Sequence, residues 1–121
     1  MCIRDRNTAI ARGLGAGAEA SGGDGNVARA KGQGSNAKAT GGDGNVALAT
    51  LGRKFQAEAA RAVAEGGNDN RAKATGAGSF ASARFGNDNM ATAIGIQATA
   101  MASQPNGCVA TARGRNASDS C

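Results

Sequence analysis

The chain repeats the same pattern every 19 residues, and that period governs what it can fold into. Residues 8–26 read TAIARGLGAGAEASGGDGN, residues 27–45 VARAKGQGSNAKATGGDGN, residues 71–89 RAKATGAGSFASARFGNDN and residues 90–108 MATAIGIQATAMASQPNGC. The block 46–70, VALATLGRKFQAEAARAVAEGGNDN, has 25 residues and therefore carries six extra, and the block 109–121, VATARGRNASDSC, stops after 13. A unit this short cannot bury a core alone. It becomes stable only when neighbouring units stack on it and share a continuous interior.

Each full block runs x-A-x-A-x-G, a short spacer, A-x-A-x, then a cluster of Gly, Asn and Asp. The two alanine pairs begin nine residues apart, as in Ala9/Ala11 with Ala18/Ala20 and Ala28/Ala30 with Ala37/Ala39. Alternation with period two is the mark of a strand, and Gly/Asn clusters at fixed offsets mark turns. One block therefore predicts strand, turn, strand, turn: a single coil. The chain as a whole predicts an all-β fold, a parallel β-solenoid or β-roll over residues 8–121, with coils 8–26, 27–45, 46–70, 71–89, 90–108 and a partial 109–121. Alanine suits such a coil because methyl groups let two facing strands approach closely. Coils stacked about 4.8 Å apart would satisfy one another's backbone hydrogen bonds, so six of them would span roughly 25–30 Å.

Gly13, Gly32, Gly76, Gly95 and Gly114 follow the first alanine pair at one offset, where a corner needs positive φ. Asn26, Asn45, Asn70 and Asn89 close four blocks; stacked, they can form amide ladders along the coil axis, the alternative being solvated turn residues. In the long block the run from Arg53 to Arg61 is rich in helix formers. It predicts a bulging loop near 53–61 with room for one helical turn, and Phe55 placed to cover an open side of the coil. Residues 1–7 are expected to be a non-native or disordered leader. Their first six, MCIRDR, do not fit the repeat and resemble an adapter-derived false start of a metagenomic gene, so the chain reads as a fragment of a larger protein.

Composition leaves one competing reading. With 20 Gly, three Phe, no Trp and no Tyr, a layered globular core lacks the large apolar side chains that offset chain entropy. What remains is a narrow repetitive core or a disordered low-complexity segment. The absence of His, and three cysteines (Cys2, Cys108, Cys121) without metal spacing or a disulfide framework, leave zinc or His-based catalysis little to work with. No apolar run reaches transmembrane length. The net charge of +5 permits an acidic partner, but aromatic stacking residues and dense Lys/Arg blocks are lacking, so no nucleic acid is expected.

The strings AKGQGSNAKATGGDGN, ATGAGSFASARFGNDN and ATAIG, with Ala93-Ile94-Gly95, Gly34-Ser35 and Gly78-Ser79, resemble the YadA-like head repeats of trimeric autotransporter adhesins. The resemblance covers residues 8 to about 118 and implies a left-handed β-roll, a homotrimer and display on a bacterial outer surface for adhesion to a glycan or extracellular-matrix surface. The chain departs from that family in its longer, 19-residue repeat and in having no neck, coiled-coil stalk or membrane anchor.

Three groups of residues are candidates for binding. Asp24, Asp43, Asp69 and Asp88 recur at the Gly-rich turns. Stacked carboxylates would repel unless a cation such as Ca²⁺ joined them, and GGDGN is similar to the calcium-binding RTX nonapeptide. That pattern fails at the ligand position, which is Val27 in one block and Val46 in the next, and Asp69 and Asp88 stand one place later than Asp24 and Asp43. Solvated turn aspartates are the alternative. Arg12, Arg29, Lys31, Arg71, Lys73 and Arg113 project from the first strand of successive coils and form an anionic-ligand stripe, or else a charged face that keeps the strands soluble. Ice binding, which needs a regular threonine array, meets a mixed column: Ile10, Arg29, Leu48, Lys73, Thr92 and Thr111. Asn116-Ala117-Ser118 matches an N-glycosylation acceptor. No nucleophile stands beside a base, so the sequence points to a non-enzymatic structural or adhesive module, with calcium-stabilised RTX-like and ice-binding solenoids as alternatives.

Overall fold

The computed structural model describes residues 6–32, 34–50, 60–103 and 105–121. The first strands of the coils are β1 (Thr8–Arg12), β3 (Val27–Lys31), β5 (Val46–Thr50), β7 (Arg71–Thr75), β9 (Met90–Ile94) and β11 (Val109–Arg113). The second strands are β2 (Gly17–Ser21), β4 (Asn36–Thr40), β6 (Arg61–Glu65), β8 (Phe80–Arg84), β10 (Thr99–Ala102) and β12 (Ser118–Ser120). They form two six-stranded parallel sheets, β1-β3-β5-β7-β9-β11 and β12-β10-β8-β6-β4-β2. The chain crosses from one sheet to the other at every corner. The molecule is a β-solenoid, and the disordered alternative is overturned by it.

Alternation sets what each sheet buries. In β3 the outer residues Arg29 and Lys31 are exposed while Ala28 and Ala30 are buried, and in β4 Ala37 and Ala39 are fully buried. Pairing keeps like on like: Ala28 stands over Ala9 and under Ala47, and Ala37 over Ala18 and under Ala62. The core is therefore four columns of methyl groups, two per sheet, supplemented by Ala60, Ala98 and the buried Ser35 and Ser79 at one corner. Those serines satisfy themselves locally. Ser35 Oγ donates to Lys31 O at 2.9 Å, and Ser79 Oγ donates to Thr75 O at 2.7 Å and to Gly95 O.

The asparagines stack, though not amide to amide. Asn26, Asn45, Asn70 and Asn89 are fully buried, and each side-chain oxygen accepts the backbone N–H of the residue above it in the column. Asn26 Oδ1 takes Asn45 N–H at 2.9 Å, Asn45 Oδ1 takes Asn70 N–H at 3.0 Å and Asn70 Oδ1 takes Asn89 N–H at 3.1 Å. Each amide of the first three also donates twice: Asn45 Nδ2 reaches Gly41 O in its own coil and Gly67 O, at 3.0 Å, in the next. The column starts at Asn7, in the leader segment, whose Oδ1 accepts Asn26 N–H at 2.9 Å, and ends at Cys108. Side chain to backbone wins over amide to amide because buried corner N–H and C=O groups must find partners.

The same corner explains an obligatory glycine column. Gly23, Gly42 and Gly67 have φ between 61° and 72°, and a Cβ on any of them would strike the backbone carbonyl of the next coil's glycine. At the opposite corner Gly13, Gly32, Gly76, Gly95 and Gly114 all have positive φ, as their offset predicts. Five non-glycine residues also adopt positive φ: Asp69, Phe85, Asp88, Gln97 and Asn116. Each occupies a column that holds glycine in an earlier coil, so stacking imposes the conformation on whatever residue stands there.

The six extra residues of the long block fall between β5 and β6. Register advances by 25 from Val46 to Arg71 and from Asn36 to Arg61, then returns to 19 from Arg61 to Phe80. The predicted loop and Phe55 lie within 51–59, outside the described residues. Its expected end is corrected: Ala60 already fills the buried corner position and Arg61 opens β6.

The two ends differ. In the first coil Ala9 and Ala11 are exposed. In the last, Ala110 and Ala112 are buried. There Asp119 replaces an inward alanine, standing over Ala100, and its carboxylate reaches across the coil to accept Thr111 N–H at 2.6 Å. Cys108 and Cys121 form a disulfide with Cα atoms 6.1 Å apart, which corrects the reading that the three cysteines give no disulfide framework. The separation of 13 residues hid them as a framework, but each lies at the edge of the same final coil.

Asn45→Ala should orphan Asn70 N–H, Gly41 O and Gly67 O at once and cost about 3 kcal/mol, read as a lower urea midpoint. Gly42→Ala should be at least as damaging, whereas Gly107→Ala, with nothing within 4 Å of its Cβ position, should cost only the left-handed penalty of about 1–2 kcal/mol. Cutting the Cys108–Cys121 bond with a reductant should speed amide exchange in β11 and β12 before it does so in β3 to β8.

Candidate functional site

Each sheet presents three outward columns. On the first sheet they are Thr8, Val27, Val46, Arg71, Met90, Val109; then Ile10, Arg29, Leu48, Lys73, Thr92, Thr111; then Arg12, Lys31, Thr50, Thr75, Ile94, Arg113. The six predicted cations share this face and all are exposed, but they do not form one stripe. Arg29 and Lys73 occupy the middle column, Arg12 and Lys31 sit together in the third, and Arg71 is in the first. Arg113 is separated from Lys31 by Thr50, Thr75 and Ile94. Between Ile10 and Lys73 the face forms a shallow groove of about 480 Å³, lined by Ile10, Arg29, Leu48 and Lys73 of the middle column, by Arg12, Lys31 and Thr50 of the third, and by Ala30 and Ala49 between them. The threonines, two adjacent in each of two columns, make no continuous array.

The second sheet handles its charge differently. Lys38 is the register partner of Glu19, Arg84 lies 3.6 Å from Glu65 on the neighbouring coil, and Arg61 sits 5.6 Å above the Phe80 ring. Cross-strand partners of this kind offset one another. No outward column of the first sheet holds a carboxylate, and none of its six cations has an ion pair among the described residues.

The aspartates fall into two columns, not one. Asp43 Oδ1 accepts Asp24 N–H at 2.7 Å, Asn68 Oδ1 accepts Asp43 N–H at 2.9 Å and Asn87 Oδ1 accepts Asn68 N–H at 2.9 Å. This second ladder, which sequence reasoning missed, is Asp24, Asp43, Asn68, Asn87. Asp69 and Asp88 stand one place on, at φ 57° and 60°, where earlier coils have Gly25 and Gly44. The one-residue shift visible in GGDGN against GGNDN was its signal. Four carboxylates are never stacked, and among the described residues no three His, Cys, Asp or Glu gather to hold a metal. Asn116 is exposed in a left-handed corner.

These features define a parallel β-solenoid repeat protein with one basic face whose cations have no ion pair among the described residues. Comparison of the chain with family models, curated proteins and solved structures finds no match. Among the described residues no helix is long and apolar enough to cross a membrane.

Since the turn aspartates among the described residues stack only as the adjacent pairs Asp24/Asp43 and Asp69/Asp88, millimolar Ca²⁺ should leave the melting temperature unchanged. A rise of several degrees would reveal a site that the geometry does not provide.

Proposed function

We propose that the chain is a non-enzymatic structural and adhesive module, part of a larger protein displayed outside a bacterial cell. The observation that carries this reading is the repetition itself. The core of the solenoid is made of the same small residues rung after rung, so what varies is the outer face, held at fixed spacing on a stiff backbone. The Cys108–Cys121 disulfide supports an oxidising, extracellular setting. The resemblance to trimeric adhesin heads adds a homotrimer. A seam for it is available along the first outward column, where Val27, Val46, Met90 and Val109 are apolar, Met90 and Val109 are 37% and 60% exposed, and Arg71 is the one charged residue between them.

Two measurements test the reading. Light scattering should return three times the 11.8 kDa chain mass; a monomer at all concentrations would remove the trimer. Beads coated with the folded chain should adhere to deposited extracellular matrix more strongly than albumin-coated beads, and equal adherence would sink the adhesive role.

A further inference from the structure

We infer that the outer face of the first sheet binds a linear anionic polysaccharide, one bearing sulfate or carboxylate groups on successive sugar rings. Charge segregation carries the inference. The first sheet exposes six cations and no acid, while the second sheet interleaves its cations with acids: Glu19 is the register partner of Lys38, Glu65 is the register partner and ion pair of Arg84, and only Arg61, which lies over the Phe80 ring, has no acid beside it in register. A face built only for solubility has no reason to exclude carboxylates from three columns across six strands, since like charges on a sheet repel.

The arrangement also selects the polymer. Arg12, Arg29, Lys31 and Lys73 rim a groove that runs along the coil axis over four coils. Successive coils are about 4.8 Å apart, so the groove offers cationic groups at repeated intervals to a chain lying along it. Guanidinium groups take sulfate and carboxylate oxygens in paired hydrogen bonds. Ile10 and Leu48, which alternate with Arg29 and Lys73 in the middle column, offer the C–H faces of sugar rings apolar contacts between the cations. A nucleic acid would want aromatic stacking partners or a projecting helix or ribbon; this face is a sheet without either, and its outward columns contain no Phe. The inference deepens the surface-module reading and rests on it only in that such polymers are met outside cells; binding by the purified chain is measurable whatever its location.

Heparin is the probe, with dextran as the neutral control and single-stranded DNA as the competing polyanion. Calorimetry should show heparin binding that weakens as salt rises, and no heat with dextran. Combining Arg29→Gln, Lys31→Gln and Lys73→Gln should weaken heparin about tenfold or more, as expected for three lost contacts to a polyelectrolyte. Combining Lys38→Gln, Arg61→Gln and Arg84→Gln removes the same charge from the second sheet and should change affinity less than about twofold. In the unmodified chain, heparin should protect Lys31 and Lys73 from acetylation and leave Lys38 reactive, a reading that needs no variant to fold. Equal losses in the two triple variants, protection of Lys38 as strong as that of Lys31, DNA displacing heparin at equal charge, or no heparin binding would each overturn the inference. If heparin binding fails while coated beads still adhere to matrix, the surface-module reading stands without it.

Discussion

The separation of the two sheets is the constraint on which the molecule depends. Methyl groups project between them: Ala28 and Ala30 face Ala37 and Ala39, and alanines recur at these positions in the coils above until Asp119. A larger side chain would wedge the sheets apart over several rungs, because each coil takes its position from the one beneath it. A thin core buries little apolar area per residue, so the deficit has to be met by hydrogen bonds that leave no corner group unpaired. The buried asparagine column does this, and the glycine column beside it exists because the coils then sit too close for a Cβ.

Much of this was legible before any coordinates. The period of 19, the paired alanines and the glycine offset gave the strands, their parallel stacking and the inward residues. The corner chemistry was harder to read. The recurrence of Asn26 and Asn45 allowed either a buried stack or solvated turn residues, and whether an amide meets an amide or a backbone N–H depends on where the carbonyls of Gly41 and Gly67 point. The basic residues were correctly placed on one face, yet their division into three columns depends on counting position within each strand: Arg71 is first, Lys73 third, Arg113 fifth. Asp119 and the Cys108–Cys121 bond were missed because both depart from the repeat, and a reading tuned to period discounts what breaks it.

Those departures share a logic. The inward aspartate blunts the edge of the last coil by turning a polar group into space that another alanine would otherwise occupy. The first coil leaves Ala9 and Ala11 exposed.

The displacement of register by six residues at a single corner has a wider meaning. Both sheets resume their alignment immediately afterwards, Ala62 over Ala37 and Ala72 over Ala47, as though nothing had intervened. Added sequence at that bend is topologically silent: the rod neither lengthens nor twists to admit it. Such a bend is a natural port for new segments, through which a lineage can acquire a different appendage while the scaffold that carries it stays unchanged.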